Sequence, residues 1–122
     1  MRKTLTAIAL ALFGLTVSAQ TFLLNGVTVT GAGTGKVGNT VPYSTKTYQG
    51  TGSTASGTGT AVISVEGSND ASNWDVIGTI TLTLGTTATS GSFTSYDRYT
   101  QNRGNVTTLT GTGAAITLTM GF

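Results

Sequence analysis

The sequence predicts an all-β protein: an antiparallel Ig-like or jelly-roll-like β-sandwich of about seven strands, following an apolar N-terminal segment. Three observations predict it. Thr, Gly and Ser fill 56 of 122 positions. Thr and Gly are poor helix formers, and Thr suits the solvent face of a strand. Apolar residues alternate with Thr at a period of two, most plainly over Ile80 to Leu84 and Ile116 to Met120. Gly-, Ser- and Asn-rich turns break these runs at short intervals, which leaves little room for the crossovers that parallel strands need.

The elements follow in chain order. Phe22 to Thr30 is a strand with Val27 and Val29 on one face, and Gly31 to Pro42 is a Gly-rich loop. Lys46 to Gly50 is a short strand around Tyr48. Thr51 to Gly59, built of Thr, Gly, Ser and one Ala, reads as a flexible loop. Thr60 to Glu66 is β-rich, and a turn over Gly67 to Asn73 leads into Trp74 to Leu84. There Trp74, Val76, Gly78, Ile80, Leu82 and Leu84 share a face opposite Thr79, Thr81 and Thr83. Gly78 in mid-strand marks a bulge or bend. Ser92 to Ser95, Tyr99 to Leu109 and Ala115 to Met120 complete the set. One apolar face per strand implies two sheets across a core. The expected core is Ile63, Val65, Trp74, Val76, Ile80, Leu82, Phe93, Val106, Ile116 and Leu118.

The first 19 residues read differently. Arg2 and Lys3 precede the apolar run Leu5 to Leu15, and Val17-Ser18-Ala19 fits a small-x-small cleavage site. The run is shorter than a membrane span of about 20 residues. Residues 1–19 therefore read as an export signal, the alternative being an apolar segment retained as an anchor or in an assembly. Residues 20–122 read as a single domain. They carry Lys36, Lys46, Arg98 and Arg103 against Glu66, Asp70, Asp75 and Asp97, so their net charge is zero. The basic excess of the whole chain is Arg2 and Lys3, and it gives no electrostatic footprint for nucleic acid.

The chain has no Cys and no His, which excludes disulfides, thiolate nucleophiles, Cys/His zinc sites and an imidazole base. Gly31 to Lys36 imitates a phosphate loop, but Thr30 and Val37 stand where that motif needs Gly and Ser or Thr. No cofactor is expected. Asp70, Asn73 and Asp75 offer oxygens for Ca²⁺, although two carboxylates fall short of the ion's six to eight ligands and Asx residues cap turns by themselves. Tyr43, Tyr48, Tyr96 and Tyr99 near loop ends are candidate glycan contacts. The Asp97-Arg98 dipeptide, through its arginine, and Arg103 are candidates to pair with Asp75 or Glu66. Rows of Thr-x-Thr read as ordinary solvent faces of strands.

Gly67-Ser68-Asn69-Asp70 with Trp74, Gly78 to Leu82, Arg103 to Thr107 and Gly111 to Leu118 together resemble small β-sandwich structural proteins of tailed bacteriophages, of the head-decoration or fibre type. The resemblance spans roughly residues 60–122. It implies a non-enzymatic virion component on the particle surface, with no catalytic residues to carry over. Its partners would be copies of itself and a major capsid or tail protein. Phe22, Leu23 and Leu24 are the expected assembly contacts. Export of residues 20–122 would instead fit a secreted bacterial adhesin or filament subunit, with Gln20 to Val29 as a donor strand. A small carbohydrate-binding module is a further alternative.

Overall fold

The computed structural model describes residues 20–37 and 44–121. The leader-like segment and Tyr43 lie outside the described residues. Nine strands follow in order: β1 (Gln20–Val27), β2 (Gly31–Ala32), β3 (Lys36–Val37), β4 (Ser44–Ser53), β5 (Gly59–Ser68), β6 (Asp75–Leu84), β7 (Thr89–Asp97), β8 (Gln101–Leu109) and β9 (Ala115–Gly121). Seven are long, and β2 and β3 are two-residue pieces inside the expected Gly-rich loop. The pairings are antiparallel throughout.

One sheet has the order β1-β9-β4-β7, and the other runs β2-β8-β5-β6 with β3 also on β8. Their inner faces enclose one core, so the molecule is the expected β-sandwich. Within that class the strand order has its own form. In the constant-type Ig arrangement the last strand joins the three-stranded sheet. Here β9 inserts between β1 and β4 as a central strand of the four-stranded sheet.

Period-two alternation builds the core. Ile63, Val65, Ile80, Leu82, Val106, Ile116 and Leu118 are all buried, as expected, and Phe93 packs against them half-buried. Leu84, Tyr48, Ala61 and Met120 join them. Each large aliphatic side chain buried in this way contributes about 1.5–3 kcal/mol.

Register shifts in the sheets change which residues face inward. Val65 pairs with Gly78 and Glu66 with Val76, so Ile77 is the extra residue. The alternation slips by one there. Ile77 packs on the core, while Val76, expected inside, is 64% exposed. Beside the bulge the Phe93 ring lies on the bare backbone of Gly78, where a Cβ would stand 2.6 Å from Cζ. In β1, Phe22 pairs with Thr119 and Leu24 with Leu118, so Leu23 is extra and both leucines turn inward. A second irregularity precedes Val27, where the Gly26 amide donates to Thr117 Oγ1 at 3.1 Å.

Trp74 also departs from its expected place in the core. It precedes β6 and is half-buried, with the Arg103 guanidinium 4.2 Å from its ring centroid and Gly35 against its edge. Thr51 to Gly59 is likewise not one long loop. Thr51 to Ser53 extend β4, and a short tied turn follows. Thr54 N donates to Gly85 O at 2.8 Å, Ala55 N to Thr112 O at 2.9 Å and Thr54 Oγ1 to Gly57 O at 2.6 Å. Local hydrogen bonding of Ser, Thr and Gly in a turn replaces the apolar contacts that the sequence lacks there.

Candidate functional site

The turn after β5 and the loop between β7 and β8 meet at one end of the sandwich. Local hydrogen bonding fixes the turn. Ser68 Oγ accepts from the amides of Asp70 and Ala71 and donates to Asp70 Oδ1 at 3.0 Å. Asp70 Oδ1 accepts from the Ser72 and Asn73 amides, both at 2.8 Å, and Oδ2 from Asn73 Nδ2 at 2.7 Å. These donors, led by the Asn73 amide, hold the Asp70 carboxyl well below the ordinary carboxylate range. Ala71 takes the left-handed conformation at φ 61°, which the surrounding hydrogen bonds enforce.

The expected Ca²⁺ set is thus divided by its own hydrogen bonds. Asp70 and Asn73 close the turn on each other, while Asp75 accepts the Tyr99 hydroxyl at 3.0 Å. No group of three acidic, Cys or His side chains converges among the described residues.

The loop is strapped from below. Lys46, fully buried, donates to Asp97 Oδ1 at 2.9 Å and to the Tyr99 carbonyl at 2.5 Å. Asp97 also accepts from Tyr99 N at 3.1 Å and Ser95 Oγ at 2.7 Å. Asn69 Oδ1 accepts from Thr100 N at 2.9 Å and ties the turn to the loop. The Tyr99 ring covers Gly67, where a Cβ would fall 2.4 Å from it. Its phenol is pushed up by the hydrogen bond to Asp75, with smaller contributions from burial and nearby carboxylates.

Asn69, Tyr96, Asp97, Arg98 and Tyr99 line an open concavity of about 560 Å³ at this end. Of the candidate glycan contacts, Tyr96 and Tyr99 meet here, and Tyr96 is 67% exposed. Tyr48 is instead buried, its ring 5.1 Å from that of Phe93. Neither its hydroxyl nor either amide atom of buried Asn102 has a hydrogen-bond partner among the described residues. Burial, then the charge of Asp97, pushes the Tyr48 phenol far above its ordinary value, and the neighbouring Asn102 opposes this.

The expected assembly contacts separate too. Leu23 and Leu24 are each 4% exposed and belong to the chain's own core, because the bulge turns both inward; Phe22 is 52% exposed. The expected Arg103–Glu66 pair is present at 2.7 Å on the outer face of the second sheet. Asp97, by contrast, takes Lys46. Sequence reasoning missed Lys46, Asn69 and Asn102. The signal for Lys46 was its phase: it shares alternation with Tyr48, so an inward Tyr48 brings Lys46 inward.

Fold and site define a small antiparallel β-sandwich with a polar and aromatic concavity at one end. No protein-family model matches the chain, and no curated protein matches it. Among solved structures, the crystal structure titled PBSX exported protein XepA is similar, with a TM-score of 0.47 and 13% identity. The similarity covers 84% of this chain and 36% of that one, so the chain spans little more than a third of its length.

Proposed function

We propose that the chain is a non-enzymatic structural protein of a virion surface, a capsid decoration or fibre component that assembles with copies of itself and with a major capsid or tail protein. The observation that carries this is the edge of the four-stranded sheet. β1 pairs with β9 on one side, and Phe22 stands exposed on that edge strand. A sheet edge carrying an exposed aromatic is a template for a neighbouring chain. The stretch that resembles phage structural proteins, residues 60–122, supports the same reading, since it supplies β5 to β9. The outer face of the four-stranded sheet adds to it. Thr45, Thr47, Gln49, Ser92 and Thr94 are short or uncharged and exposed there, so identical copies can approach without repulsion.

Mass spectrometry of gradient-purified particles tests the proposal. Abundant chain in the particles supports it, and a Phe22→Ser variant is then expected to lower incorporation. Absence from particles, with chain starting at Gln20 in secreted material, overturns it. The second reading would then apply: a secreted adhesin or filament subunit. Its support is the leader-like pattern of residues 1–19 placed directly before the edge strand β1.

A further inference from the structure

We infer that the concavity between the turn at Asn69 and the loop Tyr96 to Tyr99 is a binding site for a neutral saccharide. It presents aromatic and polar groups together, as a sugar requires. Tyr96 is 67% exposed and Tyr99 half-buried, and both line the concavity. Aromatic rings accept the C–H face of a pyranose, and hydroxyl-bonding groups fix its orientation.

The polar groups are held in place before any ligand arrives. Asp97 carries three kinds of donor: the Lys46 ammonium, the Tyr99 amide and the Ser95 hydroxyl. Two of these bonds go to Oδ1 and one to Oδ2, so Oδ2 keeps an acceptor position among the described residues. Asn69 is oriented through its carbonyl by Thr100, and its Nδ2 makes no hydrogen bond to a described residue. The Tyr99 hydroxyl donates to Asp75 and can still accept. Groups fixed in this way lose little rotamer entropy on binding.

Charge selects against other ligands. The lining carries Asp97 and Arg98; with Lys46 on Asp97 and Asp75 on the Tyr99 hydroxyl, these four charges sum to zero, which suits an uncharged ligand. Among the described residues the lining also has no Val, Leu or Ile side chain for a lipid to pack on.

The test is a ¹⁵N–¹H NMR titration of the folded chain with maltotriose, cellotriose, chitotriose and sialyllactose. Saturable shifts with at least one neutral trisaccharide, centred on Asn69 and Tyr96 to Thr100, are expected. Tyr96→Ala is expected to weaken that binding about tenfold, which matches one lost stacking contact. Thr81→Ala, on the other sheet, is expected to bind as the parent does. Thermal unfolding of Tyr96→Ala checks that the variant is folded. No saturable shift with any neutral probe, shifts centred elsewhere, binding of sialyllactose alone, or undiminished binding by folded Tyr96→Ala would each overturn the inference. The virion proposal stands or falls separately, on the particle experiment.

Discussion

Among the described residues two ion pairs join neighbouring strands, and they differ in what surrounds them. Lys46–Asp97 spans β4 and β7, with the lysine fully buried and the Asp97 side chain 10% exposed. Arg103–Glu66 spans β8 and β5 on an outer face, with side-chain exposures of 24% and 10%. The inner pair strings together a loop carbonyl, a carboxylate and a strand, beside Tyr48 and Asn102, whose side-chain polar atoms have no hydrogen-bond partner among the described residues. The outer pair is topped by Trp74 and sees Asn105 at 3.5 Å. Similar chemistry therefore serves two ends. The contrast lies in the cations: inside, the fully buried Lys46 ammonium has no water to turn to; outside, the Arg103 guanidinium has solvent at hand.

Substitutions sharpen this contrast, beginning with the largest effect. Lys46→Met is expected to destabilise the fold by about 3–5 kcal/mol in urea unfolding, since it leaves Asp97 uncompensated and unties the Tyr99 carbonyl. A loss no larger than that of Arg103→Ala would show that the two pairs are equivalent. Arg103→Ala is expected to cost about 1–2 kcal/mol, combining a partly exposed ion pair with the cation–π contact. Because Trp74 is the sole Trp of the chain, its fluorescence reports this change directly, with emission moving to longer wavelength. An unchanged spectrum would remove the stacking contribution.

Tyr48→Phe probes the apolar neighbourhood of the inner pair. Deleting a buried hydroxyl that has no hydrogen-bond partner among the described residues is expected to leave stability unchanged or raise it by about 1 kcal/mol. It also alters the alkaline limb. The folded phenol titrates above its ordinary value, so its contribution is complete below about pH 10, where the unfolded Tyr ionises, and fades as pH rises further. The Phe variant should lose that part of the alkaline decline, and identical limbs would refute the assignment.

Asp70→Asn should have the smallest effect, because Asp70 is exposed and served by backbone donors. Its carboxyl is depressed in the fold. Its contribution is therefore present above about pH 4, where the unfolded Asp ionises, and is lost as pH falls through the lower folded value. Acid unfolding of the Asn variant should begin from lower stability and descend less steeply; a parallel acid limb would contradict this.

The regular strands were legible from alternation alone. Ile80, Leu82, Leu84, Ile116, Leu118 and Met120 fall inward as their period requires. What the period cannot reveal is where it slips. Nothing local distinguishes Val76 from Ile77 until the partner strand β5 sets the register. Leu23 and Leu24 read as a surplus apolar pair fit for an interface because a regular strand buries one of two neighbours. The site was half legible: the tyrosines and the Asx turn were singled out, but Asn69 and Thr100 lie 31 residues apart, and their meeting depends on the long-range fold. The buried lysine was concealed by residue type, since lysine in a Thr-rich strand reads as solvent-facing.

The placement of β9 governs when this fold can form. It hydrogen-bonds β1 on one side and β4 on the other, and Gln20 pairs with Gly121. During synthesis every partner strand leaves the ribosome before it. Until Ala115 to Gly121 emerge, the four-stranded sheet lacks its bridging strand, and β1 has nothing to pair with. Leu23 and Leu24 stay exposed for that interval. The four-stranded sheet can close only once β9 is available, through contacts between distant parts of the chain, which makes folding slow.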